Sequence, residues 1–195
     1  MRHIFLLFLA IGFLPLAGCE TTPASRQFAE LRFSHLPHIR LNVGNVEVVE
    51  QYQTNPASPH VEAEFPVPPA SVAAQWARDR LKATGGTNIV RATVVNGAVI
   101  EVPLKRTTGV KGVFTTDQSE RYDTNLELRI QILAPGGREL AAVSSRATRS
   151  RTVPENVTLA EREKIWFAIT EALMNDLNGS LEQQVRQHFS RWIVR

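Results

Sequence analysis

TNLELRIQILAPGGRELAAVSSRATRS, residues 124–150, predicts a β-hairpin around which the remaining elements can be arranged. Apolar residues stand at every even position from Leu126 to Ile132, and polar residues stand between them. This alternation is typical of a strand with one buried face and one solvated face. Pro135 is followed by two glycines, which indicates a turn between two strands.

The turn determines which residues face each other across the hairpin. If Gly136 and Gly137 form a two-residue loop, facing residues have numbers that sum to 273. Apolar residues then face apolar or small ones, and opposite charges meet on the solvated face. The predicted pairs are Leu126 with Ala147, Ile130 with Val143, Ile132 with Ala141, and Glu127 with Arg146.

Two further strand regions precede the hairpin. In residues 39–53 the apolar positions change from odd to even at Gly44, which predicts a bulge in one strand. Residues 88–104 are rich in β-branched side chains. The pair Asn96-Gly97 could close a tight hairpin there, or the whole segment could form one long bulged strand, and the sequence leaves both alternatives open.

A first helix is predicted over residues 70–86. The segment is rich in alanine, a proline precedes it, and Gly85 lies near its end, as at many helix boundaries. Val72, Trp76 and Leu81 have the spacing of a buried helix face. We therefore assign Trp76 to packing rather than to ligand stacking.

A second, longer helix is predicted near the C-terminus. Thr158 and Glu161 have the spacing of a capping box. From Ile165 to Trp192, apolar residues recur every three or four positions, which predicts an amphipathic helix. Gly179 could kink or divide this helix, and the sequence does not decide that point.

These elements predict an α+β fold. We expect a mostly antiparallel sheet of four to five strands, with two helices packed on one face and a long C-terminal helix. A chain of 195 residues suits one such domain, which we place at residues 39–195.

The only cysteine of the chain, Cys19, stands at the end of an apolar segment, residues 4–18. A basic start, a short apolar run and small residues at its end are typical of a secretory signal peptide. The run is too short to cross a bilayer comfortably, since a membrane-spanning helix needs about 20 apolar residues. The ending LAGC, residues 16–19, resembles the lipobox of bacterial lipoproteins.

The lipobox resemblance implies a lipid anchor. By this likeness residues 1–18 are a signal peptide that is removed, Cys19 carries the lipid, and residues 19–38 form a tether. Several acyl chains make such anchoring stable. The next residue is Glu20, whereas aspartate there favours inner-membrane retention in enteric bacteria. We therefore expect a periplasm-facing protein with the outer membrane favoured over the inner one.

Composition and motifs narrow the class of function. The formal net charge is only +3, so we expect no nucleic-acid partner. The sequence holds no G-x-S-x-G, phosphate-loop or H-E-x-x-H motif, so we expect no enzyme, cofactor or metal. His35 and His38 are assigned to a solvated loop rather than to zinc. The competing class is an envelope hydrolase, with the loose candidates His60, Glu62, Glu64 and Asp123, and a third is a purely structural lipoprotein.

Residues 104–121 are predicted to form a loop with an unusual combination of side chains. The positive residues Lys105, Arg106 and Lys111 stand near apolar ones such as Phe114. Long loops in compact domains are often functional, so we consider this one a candidate partner-binding or anion-binding segment. The alternative is a hairpin tip whose apolar residues fold back under the sheet.

Two arginines extend the second strand of the hairpin beyond its apolar part. In the predicted register Arg149 faces Thr124 and Arg151 faces Tyr122, on the same face as Leu126. The guanidinium fork suits phosphate or carboxylate, so these residues form a candidate anion site. Solvation of a strand end is the alternative. Because the 104–121 loop returns to the same end, we expect positive charge to collect there.

The order strand, helix, strands, helix resembles a broad group of small envelope lipoproteins. The group includes the lipopolysaccharide-assembly lipoprotein and the auxiliary lipoproteins of phospholipid-transporting ABC systems. The likeness implies a non-enzymatic protein that assists envelope assembly or lipid transport through an envelope protein partner or anionic lipid. No residue except Cys19 inherits a role from this resemblance.

Overall fold

The computed structural model describes residues 28–105 and 118–194. Within them, a four-stranded sheet has the order β2-β4-β5-β6, and β1 and β3 form a separate two-stranded sheet. With two helices, this is the predicted α+β architecture. The elements are β1 (Ile39–Leu41), β2 (Asn45–Glu50), a 3-10 helix (Glu62–Glu64), α1 (Pro69–Arg80), β3 (Leu81–Ala83), β4 (Ile89–Pro103), β5 (Gln118–Leu133), β6 (Glu139–Pro154) and α2 (Leu159–His188).

The predicted hairpin is β5 and β6, and its register is confirmed. Each strand contains 16 residues, so the sheet is roughly 50 Å long at about 3.3 Å per residue. We call the end at Gly136-Gly137 the hairpin end and the end at Pro103, Gln118 and Pro154 the β4–β5 end. The observed pairs include Leu126 with Ala147, Ile130 with Val143, Ile132 with Ala141, and Glu127 with Arg146.

The predicted bulge at Gly44 is wrong. The chain instead leaves one sheet and enters another: β1 pairs in parallel with β3, and β2 pairs in parallel with β4. Gly44 lies where the backbone approaches the loop before β4, and its N–H donates to Asn88 O at 2.7 Å. A Cβ at this position would lie 2.6 Å from Gly86 O, so glycine permits the crossing.

The structure decides both points that the sequence left open. β4 is one continuous strand with a bulge between Val94 and Asn96, and the Asn96 side chain accepts a hydrogen bond from Ala98 N–H at 2.9 Å. α2 runs without a break through Gly179. Its first turn has the predicted capping box of Thr158 and Glu161.

The first helix is shorter than predicted. α1 ends at Arg80, and Leu81 begins β3 without an intervening loop. Leu81 is 2% exposed and pairs with Ile39 of β1. The apolar side chain that suggested one more helical turn is therefore buried by strand pairing instead.

Both helices pack on the same face of the four-stranded sheet. Gly97 of β4 lies against Ala70 of α1 and pairs with Leu126 of β5. Tyr122, which shares the even-numbered face of β5 with Leu126, contacts Trp166 of α2 edge to face at 5.7 Å. Even-numbered side chains of β5 consequently form the core. The prediction that Trp76 serves packing agrees with its burial, at 0% exposure, and Trp166 is buried as well, at 3% exposure.

The other face of this sheet is covered by no described helix and carries paired charges. The partners are opposite in sign and lie on neighbouring strands or along one strand. They are Glu47 with Arg91, Glu127 with Arg146, Arg129 with Glu139, and Arg121 with Asp123. Such exposed pairs contribute little stability individually but keep the face polar.

Candidate functional site

The two candidate arginines of β6 lie at the predicted register. Arg149 faces Thr124 and Arg151 faces Tyr122, near the β4–β5 end. Arg149 forms an ion pair of 2.6 Å with Asp176 of α2, and both side chains are about half exposed. Arg151 is exposed, and it has no ion pair within residues 28–105 and 118–194. The two arginines therefore differ, because one joins the sheet to α2 and the other faces solvent.

Tyr122, the third predicted site residue of this group, belongs to the core. Its side chain is fully buried between Phe65 and Trp166, and its hydroxyl donates to Glu120 at 2.8 Å. Burial, followed by the hydrogen bond to Glu120, raises the pKa of the phenol. Arg162 of α2 pairs with the same carboxylate at 2.8 Å. This group fastens the start of α2 to the sheet.

The predicted loop is described only at its edges. Lys105 is exposed just beyond β4, where the preceding residue Leu104 donates its N–H to Ser119 O at 2.9 Å. Arg106, Lys111 and Phe114 lie outside the described residues, as does Cys19. Their roles in binding and lipid attachment stay predictions.

The charge of the β4–β5 end depends on α2 as well as on the loop. Asp123 and Arg121 pair with each other at 2.7 Å on the face opposite Arg149 and Arg151. α2 and the turn before it add carboxylates that the prediction of positive charge at this end did not include. These carboxylates are Glu155, Glu161, Glu163 and Asp176. Within the described residues, they offset the positive charge expected from the strands.

A second cluster lies in the loop between β2 and α1. His60 Nδ1 lies 3.4 Å from Glu62 Oε2, and Tyr52 donates its hydroxyl to the other oxygen of Glu62 at 2.5 Å. Two of the four loose hydrolase candidates therefore come together. Glu64 is exposed, and Asp123 lies with Arg121 on the outer face of the sheet.

Glu62 replaces a strand neighbour of β4. β2 pairs with β4 only as far as Val94, and beyond the bulge the loop takes its place. Val61 N–H donates to Val99 O at 3.0 Å, and Val99 N–H donates to the Glu62 carboxylate at 3.2 Å. Burial alone would raise the pKa of Glu62, but the hydrogen bonds from Tyr52, Val99 and Asn55 hold it below its usual value. The carboxylate is therefore ionised and attaches the loop to the sheet.

We expect Glu62→Gln to lower the free energy of unfolding by about 2 kcal/mol at pH 7, because charge-assisted hydrogen bonds are lost from a buried site. A carboxylate whose pKa is lowered by folding stabilises the fold above its ordinary pKa, and this contribution is lost as the pH falls through the lowered value. The deficit of the variant should therefore be smaller at pH 3 than at pH 7 in urea unfolding.

The matched control is Glu64→Gln, two residues further along the same 3-10 helix and exposed. It should change the free energy of unfolding by less than about 0.5 kcal/mol. Equal losses in the two variants would contradict the role given to Glu62.

Residues 28–38, which we call the N-terminal strap, lie across both helices. Phe28 stacks on Phe167 of α2 with ring centroids 5.4 Å apart. Arg32 donates two hydrogen bonds to Asp79 of α1 at 2.8 and 3.0 Å. Phe33 is 7% exposed and belongs to the core. The part of the predicted tether that the structure describes is thus packed on the domain.

Asp79 is the main attachment point of the strap. It is 5% exposed and also accepts hydrogen bonds from Phe33 N–H at 2.9 Å and from Gln75 at 2.8 Å. The hydrogen bond from Arg32 is the main reason why the pKa of Asp79 falls to about 2, against the opposing effect of burial. Sequence reasoning missed this residue, since a carboxylate on a helix usually faces water and its partner lies 47 residues away.

A buried polar link joins the two helices. Arg80 of α1 is 0% exposed and donates to Glu182 of α2 at 2.8 Å. Its guanidinium lies 6.0 Å from the Trp76 ring, and Trp76 Nε1–H donates to Asn178 at 2.7 Å. These contacts fix the position of α1 along α2.

Metal and membrane-spanning features were sought in the part of the chain that the structure describes. No three His, Cys, Asp or Glu side chains come together there as a metal site. None of the described helices combines the length and the apolar character that crossing a bilayer requires. His38 Nδ1 instead lies 3.1 Å from the backbone oxygen of Asp79.

No protein-family model matches the chain, and no curated protein sequence is significantly similar to it. Among solved structures, the chain resembles a minor lipoprotein from Acinetobacter baumannii. The two share 13% sequence identity with a TM-score of 0.37, over 76% of this chain and 93% of that one. At this TM-score the likeness carries no functional conclusion.

Proposed function

We propose that this chain is a lipid-anchored protein of the bacterial envelope, with the outer membrane favoured over the inner one. The observation that carries the proposal is the position of the only cysteine, Cys19, in LAGC directly after the apolar segment 4–18. A lone cysteine in an exported chain cannot form an internal disulfide. Lipidation explains both why a single thiol is present and why it stands at this position.

We further propose that the domain is not an enzyme and that it assists envelope assembly or lipid transport by binding. Two buried carboxylates support this reading because both stabilise the fold. Glu62 attaches a loop to β4, and Asp79 binds the N-terminal strap. The exposed side chains Lys105 and Arg151 at the β4–β5 end are the described candidates for contact with a partner or with anionic lipid. Arg106, Lys111 and Phe114 complete this candidate set.

An envelope hydrolase is the second candidate, because His60 and Glu62 lie 3.4 Å apart and the His60 side chain is 24% exposed. A histidine beside a carboxylate is one component of many hydrolytic sites, and His60 Nδ1 is buried without a hydrogen-bond partner among the described residues. The test is whether the protein hydrolyses envelope polymers and whether a folded His60→Ala variant has lost that activity. Both results together would favour a hydrolase over a binding protein.

The proposed anchor predicts the behaviour of Cys19→Ala. We expect this variant to move from the membrane fraction to the soluble periplasmic fraction and to lack the added mass of the acyl chains, because the attachment thiol is gone. The matched control is Thr22→Ala, which should stay in the membrane fraction with the added mass. A Cys19→Ala protein that remained in the membrane fraction would overturn the anchor.

The same two proteins test the binding role. After mild crosslinking and detergent extraction, the anchored control should recover an envelope protein that Cys19→Ala recovers less well. Recovery of no envelope partner by either protein would count against a binding role while leaving the anchor intact.

A further inference from the structure

We propose that the β4–β5 end of the domain faces the bilayer and that the hairpin end points away from it. This orientation rests on the proposed anchor at Cys19. It follows from three observations: how far the chain can reach from the anchor, where its first described residue packs on the domain, and which side chains lie at the β4–β5 end.

The reach of the chain limits the distance between the domain and the membrane. Phe28, the first described residue, stands nine positions after Cys19. A fully extended chain spans at most about 3.3–3.6 Å per residue, so Phe28 lies within roughly 30 Å of the attachment point. This limit is covalent and holds for any conformation of the residues in between.

The packing of Phe28 places it near the β4–β5 end. Phe28 stacks on Phe167, and the neighbouring Trp166 contacts Tyr122 of β5. Tyr122 is four residues from the first residue of β5, Gln118, which corresponds to about 13 Å along the strand. The strap then continues away from Phe28 to Asp79, so its anchor-side end is the one at the α2–β5 contact.

The hairpin end is the more distant end of the sheet from the point where Phe28 packs. Leu133 stands eleven positions after Tyr122 in β5, which corresponds to about 36 Å along the strand, and the turn at Gly136 adds to this distance. Because Phe28 lies beside the Tyr122–Trp166 contact, the roughly 30 Å reach of the tether favours the β4–β5 end over the hairpin end as the one nearer the bilayer.

The β4–β5 end has side chains suited to a lipid headgroup region. Leu159, the first residue of α2, is 62% exposed, and α2 begins shortly after Pro154, which pairs with Gln118. Lys105 and Arg151 are exposed at the same end and could extend toward phosphate oxygens. Some carboxylates at this end have partners of their own, since Glu120 pairs with Arg162, and the Glu161 carboxylate accepts a hydrogen bond from Thr158 N–H at the start of α2. Glu101, opposite Tyr122, adds a further carboxylate at this end.

The remaining faces fit a bilayer less well. The outer face of the four-stranded sheet carries the exposed ion pairs described above, such as Glu127 with Arg146. The exposed side of α2 carries carboxylates and amides, including Glu171 and Asn175. An apolar side chain as exposed as Leu159 occurs on neither face within the described residues.

The orientation is tested on residues 19–195, which retain every described residue, coupled through Cys19 to a maleimide lipid in phosphatidylglycerol–phosphatidylethanolamine vesicles. A keto amino acid at position 159, 105 or 136 carries a fluorescent dye, and the vesicles contain nitroxide-labelled lipid. We expect at least about twofold stronger quenching at positions 159 and 105 than at 136, because these ends lie tens of ångströms apart.

The anchor is imposed chemically here, so this result does not depend on lipidation in the cell, which the Cys19→Ala fractionation tests separately. A dye at position 179, on the exposed side of α2, reports a domain lying on its helices. Quenching at 136 equal to that at 159, or at 179 equal to that at 159, would overturn the proposal. Circular dichroism of each labelled protein shows whether it is folded, and position 105 keeps the test valid if position 159 is disturbed.

Discussion

Gly97→Val is expected to lower the free energy of unfolding by about 3 kcal/mol, since overpacking a close contact forces backbone to move. A Cβ at Gly97 would lie 2.6 Å from the Cβ of Ala70 and 3.1 Å from its Cα. The obstacle is the first turn of α1 itself, which cannot rotate out of the way as a flexible side chain would. Urea unfolding followed by circular dichroism measures the loss.

The matched control for this prediction is Gly179→Ala. Gly179 is in the interior of α2 with no atom near its absent Cβ. Alanine is favoured over glycine inside a helix by about 0.8–1.0 kcal/mol, so this variant should be more stable than the parent chain. The two glycine substitutions should thus act in opposite directions. Changes of the same sign would contradict the close approach of α1 to β4.

Glu182→Gln is expected to lower the free energy of unfolding by about 3 kcal/mol, because it leaves the buried guanidinium of Arg80 without a counter-charge. Arg80 is 0% exposed, and within the described residues its Nε and Nη1 have no hydrogen-bond partner. Glu182 is therefore the only described carboxylate that compensates this charge, at 2.8 Å. Thermal and urea unfolding both measure the deficit.

Arg186→Gln is the control, since Arg186 also bonds Glu182, at 2.6 Å, but is 60% exposed. The hydrogen bond from Arg186 is the main reason why the pKa of Glu182 is lowered. Its loss should nevertheless cost less than about 1 kcal/mol, because solvent screens an exposed pair. A larger loss for Arg186→Gln than for Glu182→Gln would contradict the assignment. The double variant Arg80→Met with Glu182→Leu should recover most of the deficit, as apolar replacements of buried pairs often do.

Local patterns predicted those parts of the fold whose partners are close in sequence. The alternation in residues 124–150 was sufficient for the register of β5 and β6, because a short turn leaves few ways to pair two strands. The capping box of Thr158 and Glu161 and the stripe of α2 are likewise local. For the candidate site, the same register placed Arg149 and Arg151 at the correct end of the sheet.

Predictions failed where a distant segment competes for the same residues. The change of face at Gly44 has the appearance of a bulge. In the structure β1 and β2 are separate strands with different parallel partners, since β1 pairs with β3 and β2 pairs with β4. Leu81 fits a helical spacing, yet pairing with Ile39 draws it into β3. Parallel pairing leaves no turn signature between the paired strands, so neither outcome can be read from nearby residues.

The sequence by itself determined the hairpin, the amphipathic α2 and the isolated Cys19 in its lipobox-like setting, because each depends on periodicity or spacing within a few residues. Tertiary structure alone decided that the strap is held by Asp79, that Glu62 fills a gap in the strand ladder, and that Arg80 is buried against α2. These polar groups look like ordinary solvated side chains in the sequence. Their burial depends on partners tens of residues away, and only the packing of helices on the sheet brings those partners within hydrogen-bond distance.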